Sequence, residues 1–218
     1  MPLPLSQYRK GLIDPNFSIR SRKIKKDKEY NLLYLDGLTD YIDCGSDASL
    51  NIAGVLKIET LINIHSTTGN WERIIQKADL SGFGFSLRTQ NNKFHFQAKQ
   101  SDNLYNAIST NQFNYNNWYY LKGINDTINP VKLYINNILQ TGHVYDIAGD
   151  GGGDDLEIGR RVNEIGISQS NMSIKYLKIN DETIINLIMK SKSSSKKIIK
   201  DKSGNNNNGI LNGCTWRY

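Results

Sequence analysis

The side chains able to do chemistry in this 218-residue chain fall into three groups. The first is acidic. Asp150, Asp154 and Asp155 flank Gly151-Gly152-Gly153, and Glu157 follows two residues on. Carboxylates on a flexible glycine loop are hard oxygen ligands suited to calcium. The spacing is not that of an EF-hand, and a solvated turn is the other reading. The triple glycine lacks the Lys and Ser/Thr of a phosphate-cradling loop. The second group is His65, His95 and His143, each alone on its own segment. Each reads as a solvent-facing side chain, because no Ser-His-Asp, Cys-His or zinc spacing accompanies it. The third group is aromatic. Trp71, Tyr105 and Tyr115 lie among many asparagines. A ring can stack on the C–H face of a sugar while amides read its hydroxyls. These three are the candidate ligand-binding residues, with sealing of one end of the fold as the structural alternative for Trp71.

The elements that position these groups are strands. Residues 57–65 place Ile58, Thr60, Ile62 and Ile64 on one face, against Lys57, Glu59, Asn63 and His65. Phe83, Phe85 and Leu87 oppose Gly84, Ser86 and Arg88. Phe94, Phe96 and Ala98 oppose Lys93, His95, Gln97 and Lys99, and Val131, Leu133 and Ile135 oppose Lys132, Tyr134 and Asn136. Such alternation marks half-buried strands. Asn91-Asn92 and Asn136-Asn137 read as short turns, because Asn tolerates left-handed backbone. Asp36-Gly37, between Tyr34 and Tyr41, reads as a hairpin turn. Many short strands with no long helix before residue 180 predict an all-β fold, a two-sheet antiparallel β-sandwich.

The net charge of +6 is uneven. Residues 1–30 carry 8 Lys/Arg and 3 Asp/Glu, and residues 190–218 carry 7 and 1, while residues 31–189 carry 12 and 17. The chain therefore reads as an extended basic arm (1–29), a mildly acidic sandwich (30–189), and a basic linker with a C-terminal strand packed on the sandwich (190–218). The arm holds Arg20, Arg22, Lys23, Lys25, Lys26 and Lys28. It reads as a solvated tail, as an anchor docking into an assembly, or as a nucleic-acid contact. The last lacks the interleaved aromatics that such contacts use. No apolar run is long enough to span a bilayer, and MPLPLSQYRKGL has no leader-like apolar core. Two cysteines are too few for a disulfide scaffold. Overuse of Asn, Lys and Ile fits an AT-rich genome, such as a low-GC bacterium or its phage.

The order of phrases YLDGLTDYIDCG, LNIAGVLKIETLINI, WERIIQKAD, NWYYLKGI, VKLYINNILQ and DLEIGRR carries a resemblance. It is similar to the LamG-like jelly-roll domains of the concanavalin A-like lectin and glucanase superfamily, of the kind found in phage structural proteins. DKSGNNNNGILNGCTW resembles a further phrase of these domains. It implies a terminal strand, with Ile210 and Leu211 beside the first strand and Trp216 over an edge. The resemblance also implies a core position for Trp118 and a frequent pairing of first and last cysteines, here Cys44 and Cys214. The E-x-D-x-x-E carboxylates of the family's laminarinase-like members are missing, and the acidic cluster ending at Glu157 is not expected to line a groove. Where the closing strand of relatives carries acids, this chain has Lys175 and Tyr176.

No catalytic residue is expected. The expected function is a non-enzymatic virion structural protein of a bacteriophage. Its lectin-like domain would bind glycans, and its arms would anchor it to other virion proteins or to copies of itself. The alternative is a bacterial carbohydrate-binding or adhesion module at the cell surface. Calcium is the one cofactor the acidic loop brings into question.

Overall fold

The computed structural model describes residues 29–52, 54–67, 71–77, 84–100, 103–126, 129, 131–146, 155–160 and 169–218. The basic residues Arg20, Arg22, Lys23, Lys25, Lys26 and Lys28, and the loop acids Asp150 and Asp154, lie outside them. Among these residues, seventeen strands follow in chain order: β1 (Leu32–Asp36), β2 (Tyr41–Asp43), β3 (Leu56–Ser66), β4 (Glu72–Lys77), β5 (Phe85–Gln90) and β6 (Lys93–Gln100). Next come β7 (Asn103–Ile108), β8 (Trp118–Asn125), β9 (Lys132–Ile135), β10 (Ile138–Leu139), β11 (Gly142–Asp146) and β12 (Leu156–Ile158). The last are β13 (Asn171–Ile179), β14 (Ile185–Ile188), β15 (Ile198–Ile199), β16 (Gly209–Asn212) and β17 (Thr215–Arg217). They form two antiparallel sheets. The first runs β10-β9-β8-β3-β13-β1-β17, with β14 also on β13; the second runs β11-β7-β6-β5-β4-β12-β2-β16-β15. The expected all-β sandwich is present.

The alternating residues supply the core. Ile58, Thr60, Ile62 and Ile64 of the first sheet, and Phe85, Leu87, Phe94, Phe96 and Ala98 of the second, are buried. Removing each large apolar side chain from water is worth about 1.5–3 kcal/mol. The sheets meet closely where the Phe96 ring lies on Gly123, leaving no room there for a Cβ. Asn91, Asn92, Asn136 and Asn137 all adopt positive φ, so the two Asn-Asn turns form as their chemistry predicts.

The Asp36-Gly37 turn is a correction. β1 and β2 do not pair: β1 lies in the first sheet and β2 in the second. The turn is a corner between sheets. Asp36 builds it by accepting backbone N–H donations from Leu38, Thr39 and Asp40. Burial alone would raise the Asp36 carboxyl, but these donors outweigh it and hold the group below the usual range. Asp40 in turn accepts the N–H of Asp36. Its carboxyl is raised, mainly by burial, with the Asp36 charge adding to the effect.

The C-terminal segment repeats this crossing. β16 pairs with β2 in the second sheet, and β17 pairs with β1 in the first. Ile210 and Leu211 therefore lie opposite Asp43 and Ile42 of the second strand, not beside the first. Trp216 faces Leu33 across the ladder, is only 4% exposed, and donates its indole N–H to Lys196 O at 2.8 Å. Residues 190–200 are tied into the fold. Tyr30 and Ser191 exchange two backbone hydrogen bonds, and Leu211 donates to Lys197 O. Cys44 and Cys214 are both free and buried, near opposite ends of β2. Burial pushes the Cys214 thiol up to about 12, and it donates to Tyr41 O.

The two corners touch at Gly213. Its φ is +76°, and a Cβ there would overlap the Asp40 carboxylate oxygen. Gly204 also has positive φ, at +98°, but faces open space. Gly204→Ala should therefore cost only the left-handed strain, about 1–2 kcal/mol. Gly213→Ala should cost at least about 2 kcal/mol more in urea denaturation, because the Asp40 corner must move as well.

Candidate functional site

The outer face of the second sheet is polar and buried. Strand pairing sets Glu157, Gln76, Ser86, Gln97 and Asn106 side by side across five strands. A second row places Arg73, Arg88 and His95 together. All eight are buried. A register shift between Arg73 and Ile75 brings Arg73 and Gln76 to one face while Ile74 and Ile75 both enter the core.

Buried polar groups are costly without partners, and most of these have one, Asn106 Oδ1 being an exception. Arg73 Nε donates to Gln76 Oε1 at 2.8 Å. Ser86 donates to Gln97, and Asn106 lies 3.3 Å from His95 Nδ1. Arg160 grips both carboxylate oxygens of Glu157, at 2.8 and 2.6 Å, and stacks over the Tyr41 ring. Glu157 thus lies on this face after all, cross-strand from Asp43. Both its oxygens are held by the guanidinium, an arrangement that fixes geometry and gives no free acid for proton transfer.

Trp71 stands at the entrance to this face. Its φ is +80°, a strained value for a bulky residue. Its carbonyl accepts from Arg73 Nη1 at 2.6 Å, and the Arg88 guanidinium lies 4.1 Å from its ring centroid. The residue remains 38% exposed. Strain of this kind persists only where the surroundings impose it, and it concentrates at ligand sites.

The other sequence candidates lie elsewhere. Tyr105 pairs with Ala98 and packs against the core. Tyr115 is partly exposed, with its hydroxyl bonded to Asn92 and Thr67 and its ring edge-on to Phe113. The structure does not bring the two together with Trp71 in one described contact. Trp118 is a correction. It shares the outer face of the first sheet with Asn63, and Lys175 Nζ lies 4.5 Å from its ring centroid. Asp155 is half-buried. Among the described residues no three His, Cys, Asp or Glu side chains are grouped to hold a metal. The missed residues are the buried polar ones. Alternation put them on an outer face, but it could not reveal that this face is covered.

His95 shows the consequence. It was expected in solvent and is 6% exposed. Burial, aided by the Arg88 charge, lowers its pKa to about 4, so the ring is neutral at pH 7. A depressed histidine contributes stability that is full above its unfolded pKa of 6.5 and is lost as pH falls toward 4. The His95→Gln variant should lose less stability than wild type between pH 6.5 and 4, by about 2–3 kcal/mol, in denaturant titrations across that window.

The laminin G family model Laminin_G_3, described as concanavalin A-like lectin/glucanases superfamily, matches residues 36–174. No curated protein matches the sequence. Among solved structures, a Bacteroides ovatus protein described as carbohydrate-binding is similar at 15% identity and a TM-score of 0.60, over 87% of this chain and 60% of that one. Domains LG4-5 of the mouse laminin α1 chain are similar at 13% identity and a TM-score of 0.50, over 70% of this chain and 43% of that one. The chain thus spans less than two thirds of either neighbour, and these likenesses speak to the fold. With the family match covering well over half of its length, the chain belongs to the concanavalin A-like lectin/glucanases superfamily, as a laminin G-type domain.

Proposed function

We propose that this chain is a non-enzymatic, lectin-like module that binds glycans at Trp71, on the exposed margin of the outer face of its second sheet. The observation that carries this reading is Trp71. A strained backbone holds a large ring partly in solvent, and Arg88 covers one side of it. The other side of the ring offers a platform for the C–H face of a sugar. The amides and hydroxyls behind it form a rigid, hydrogen-bonded floor. An enzymatic reading has less support, because Glu157 is occupied by Arg160 and a glycosidase needs two working carboxyls.

For its place, the reading is a phage particle, with the basic N-terminal residues as an anchor to other virion proteins. The supports are the AT-rich residue usage and the concentration of positive charge outside the sandwich. The bacterial cell-surface reading has one observation in its favour, the likeness to a Bacteroides ovatus protein. Among the described residues no helix is long and apolar enough to cross a membrane.

The test is a glycan array probed with wild type and Trp71→Gly. Glycine accepts the positive φ, so relief of strain should offset the lost Arg88 contact, and stability should stay within about 1 kcal/mol of wild type. Affinity for the best glycan should fall at least tenfold. Equal binding by both proteins would remove Trp71 from the site.

A further inference from the structure

A cleft of about 490 Å³ on the C-terminal segment gathers five lysines, Lys190, Lys192, Lys196, Lys200 and Lys202, around Glu29. The fold creates this cluster. After β14 the chain is pinned at Ser191 by Tyr30, at Lys196 O by the Trp216 indole, and at Lys197 O by Leu211 before β15 begins. The lysines therefore project from a held backbone, which reduces the ordering cost of binding.

The charge is largely unbalanced. Glu29 pairs with Lys190 at 3.2 Å. Among the described residues no carboxylate pairs with the other four. Asp201 sits between Lys200 and Lys202 in sequence, but its oxygens accept from Asn186, Ser203 and Asn207. Four ammonium groups around one cleft repel one another, and a bound anion relieves that repulsion.

We propose that this cleft binds the tetrahedral oxyanions, phosphate or sulfate, of a polyanionic chain. The choice follows from the side chains. Planar carboxylates favour the arginine fork, whereas lysine binds phosphate-like groups as a compact point charge. Among the described residues its lining holds lysines and no arginine. Among the described residues that lining holds no aromatic ring on which a nucleobase could stack, which disfavours nucleic acid. The site stands independently of Trp71, so Trp71→Gly leaves it unchanged.

The test uses the full chain with Lys192, Lys200 and Lys202 changed together to Gln. All three are exposed, so the fold is not at risk. A control carries Lys57→Gln, Lys122→Gln and Lys132→Gln, which removes the same charge elsewhere. Both keep residues 1–28, whose charge cancels in the comparison. Probes are heparin for sulfate, polyphosphate for phosphate, alginate for carboxylate, and a single-stranded DNA oligomer, titrated by calorimetry at several salt concentrations. Heparin or polyphosphate should bind wild type at least tenfold more tightly than alginate. The cleft variant should lose at least tenfold on that probe, and its log Kd against log salt slope should fall by about 2. The control should stay within about twofold of wild type, an expectation that follows from screening of distant surface charges. Equal losses in both variants, alginate binding as tight as heparin and polyphosphate, or DNA binding tighter than both would overturn the proposal.

Discussion

The contact between Asp40 and Gly213 is the constraint on which the sandwich closes. Each belongs to a short connection that carries the chain from one sheet to the other. At the first, Asp36 and Asp40 use their carboxylates to accept backbone N–H groups of the corner. At the second, Gly213 lets the chain pass directly over that buried carboxylate. Strands β1 and β2 would otherwise each present an open side. The last nine residues cover both, and Trp216 fills the seam between them. A similar device supports the preceding loop. There Asp201 accepts four hydrogen bonds from Asn186, Ser203 and Asn207, and its carboxyl is held low against the pull of burial.

The same need to satisfy buried polar groups shapes the second sheet. Its inner face is largely Ile, Leu and Phe, with Thr89 donating to the buried Glu72 carboxylate. Its outer face is a mesh of amides and guanidinium groups, with the Glu157 carboxylate held by Arg160. A mesh of this kind is rigid because each member fixes its neighbours. It therefore makes a firm backing for one exposed ring, and it explains how Trp71 can be held at an unfavourable φ.

Much of this architecture was legible in the residues, and the reasons are local. Period-two alternation identified Ile58 to Ile64, Phe85 to Leu87 and Phe94 to Ala98 as strands, because side-chain direction is fixed by the strand itself. The Asn-Asn turns followed from the left-handed tolerance of Asn. What alternation could not supply was the identity of the partner. Asp36-Gly37 has the chemistry of a hairpin turn, and the same chemistry serves a corner between sheets. Arg88, His95 and Gln97 have the pattern of a wet face, yet they are covered. Trp118 resembles a core residue by its phrase, but strand register sets it outward beside Asn63. The lysine-rich stretch at 190–200 reads as a linker by composition. Its order comes from Tyr30 and Trp216, more than a hundred residues and some twenty residues away respectively.

The three tryptophans mark three separate surfaces: Trp71 the polar face, Trp118 the outer face of the first sheet, and Trp216 the seam. Their indole N–H resonances can be followed together in a two-dimensional ¹H–¹⁵N spectrum while a glycan identified on the array is added. Glycan binding at the second sheet predicts that the Trp71 signal moves in a saturable way and the other two stay in place. Movement of Trp118 with Trp71 unchanged would contradict the account and assign the ligand to the opposite sheet.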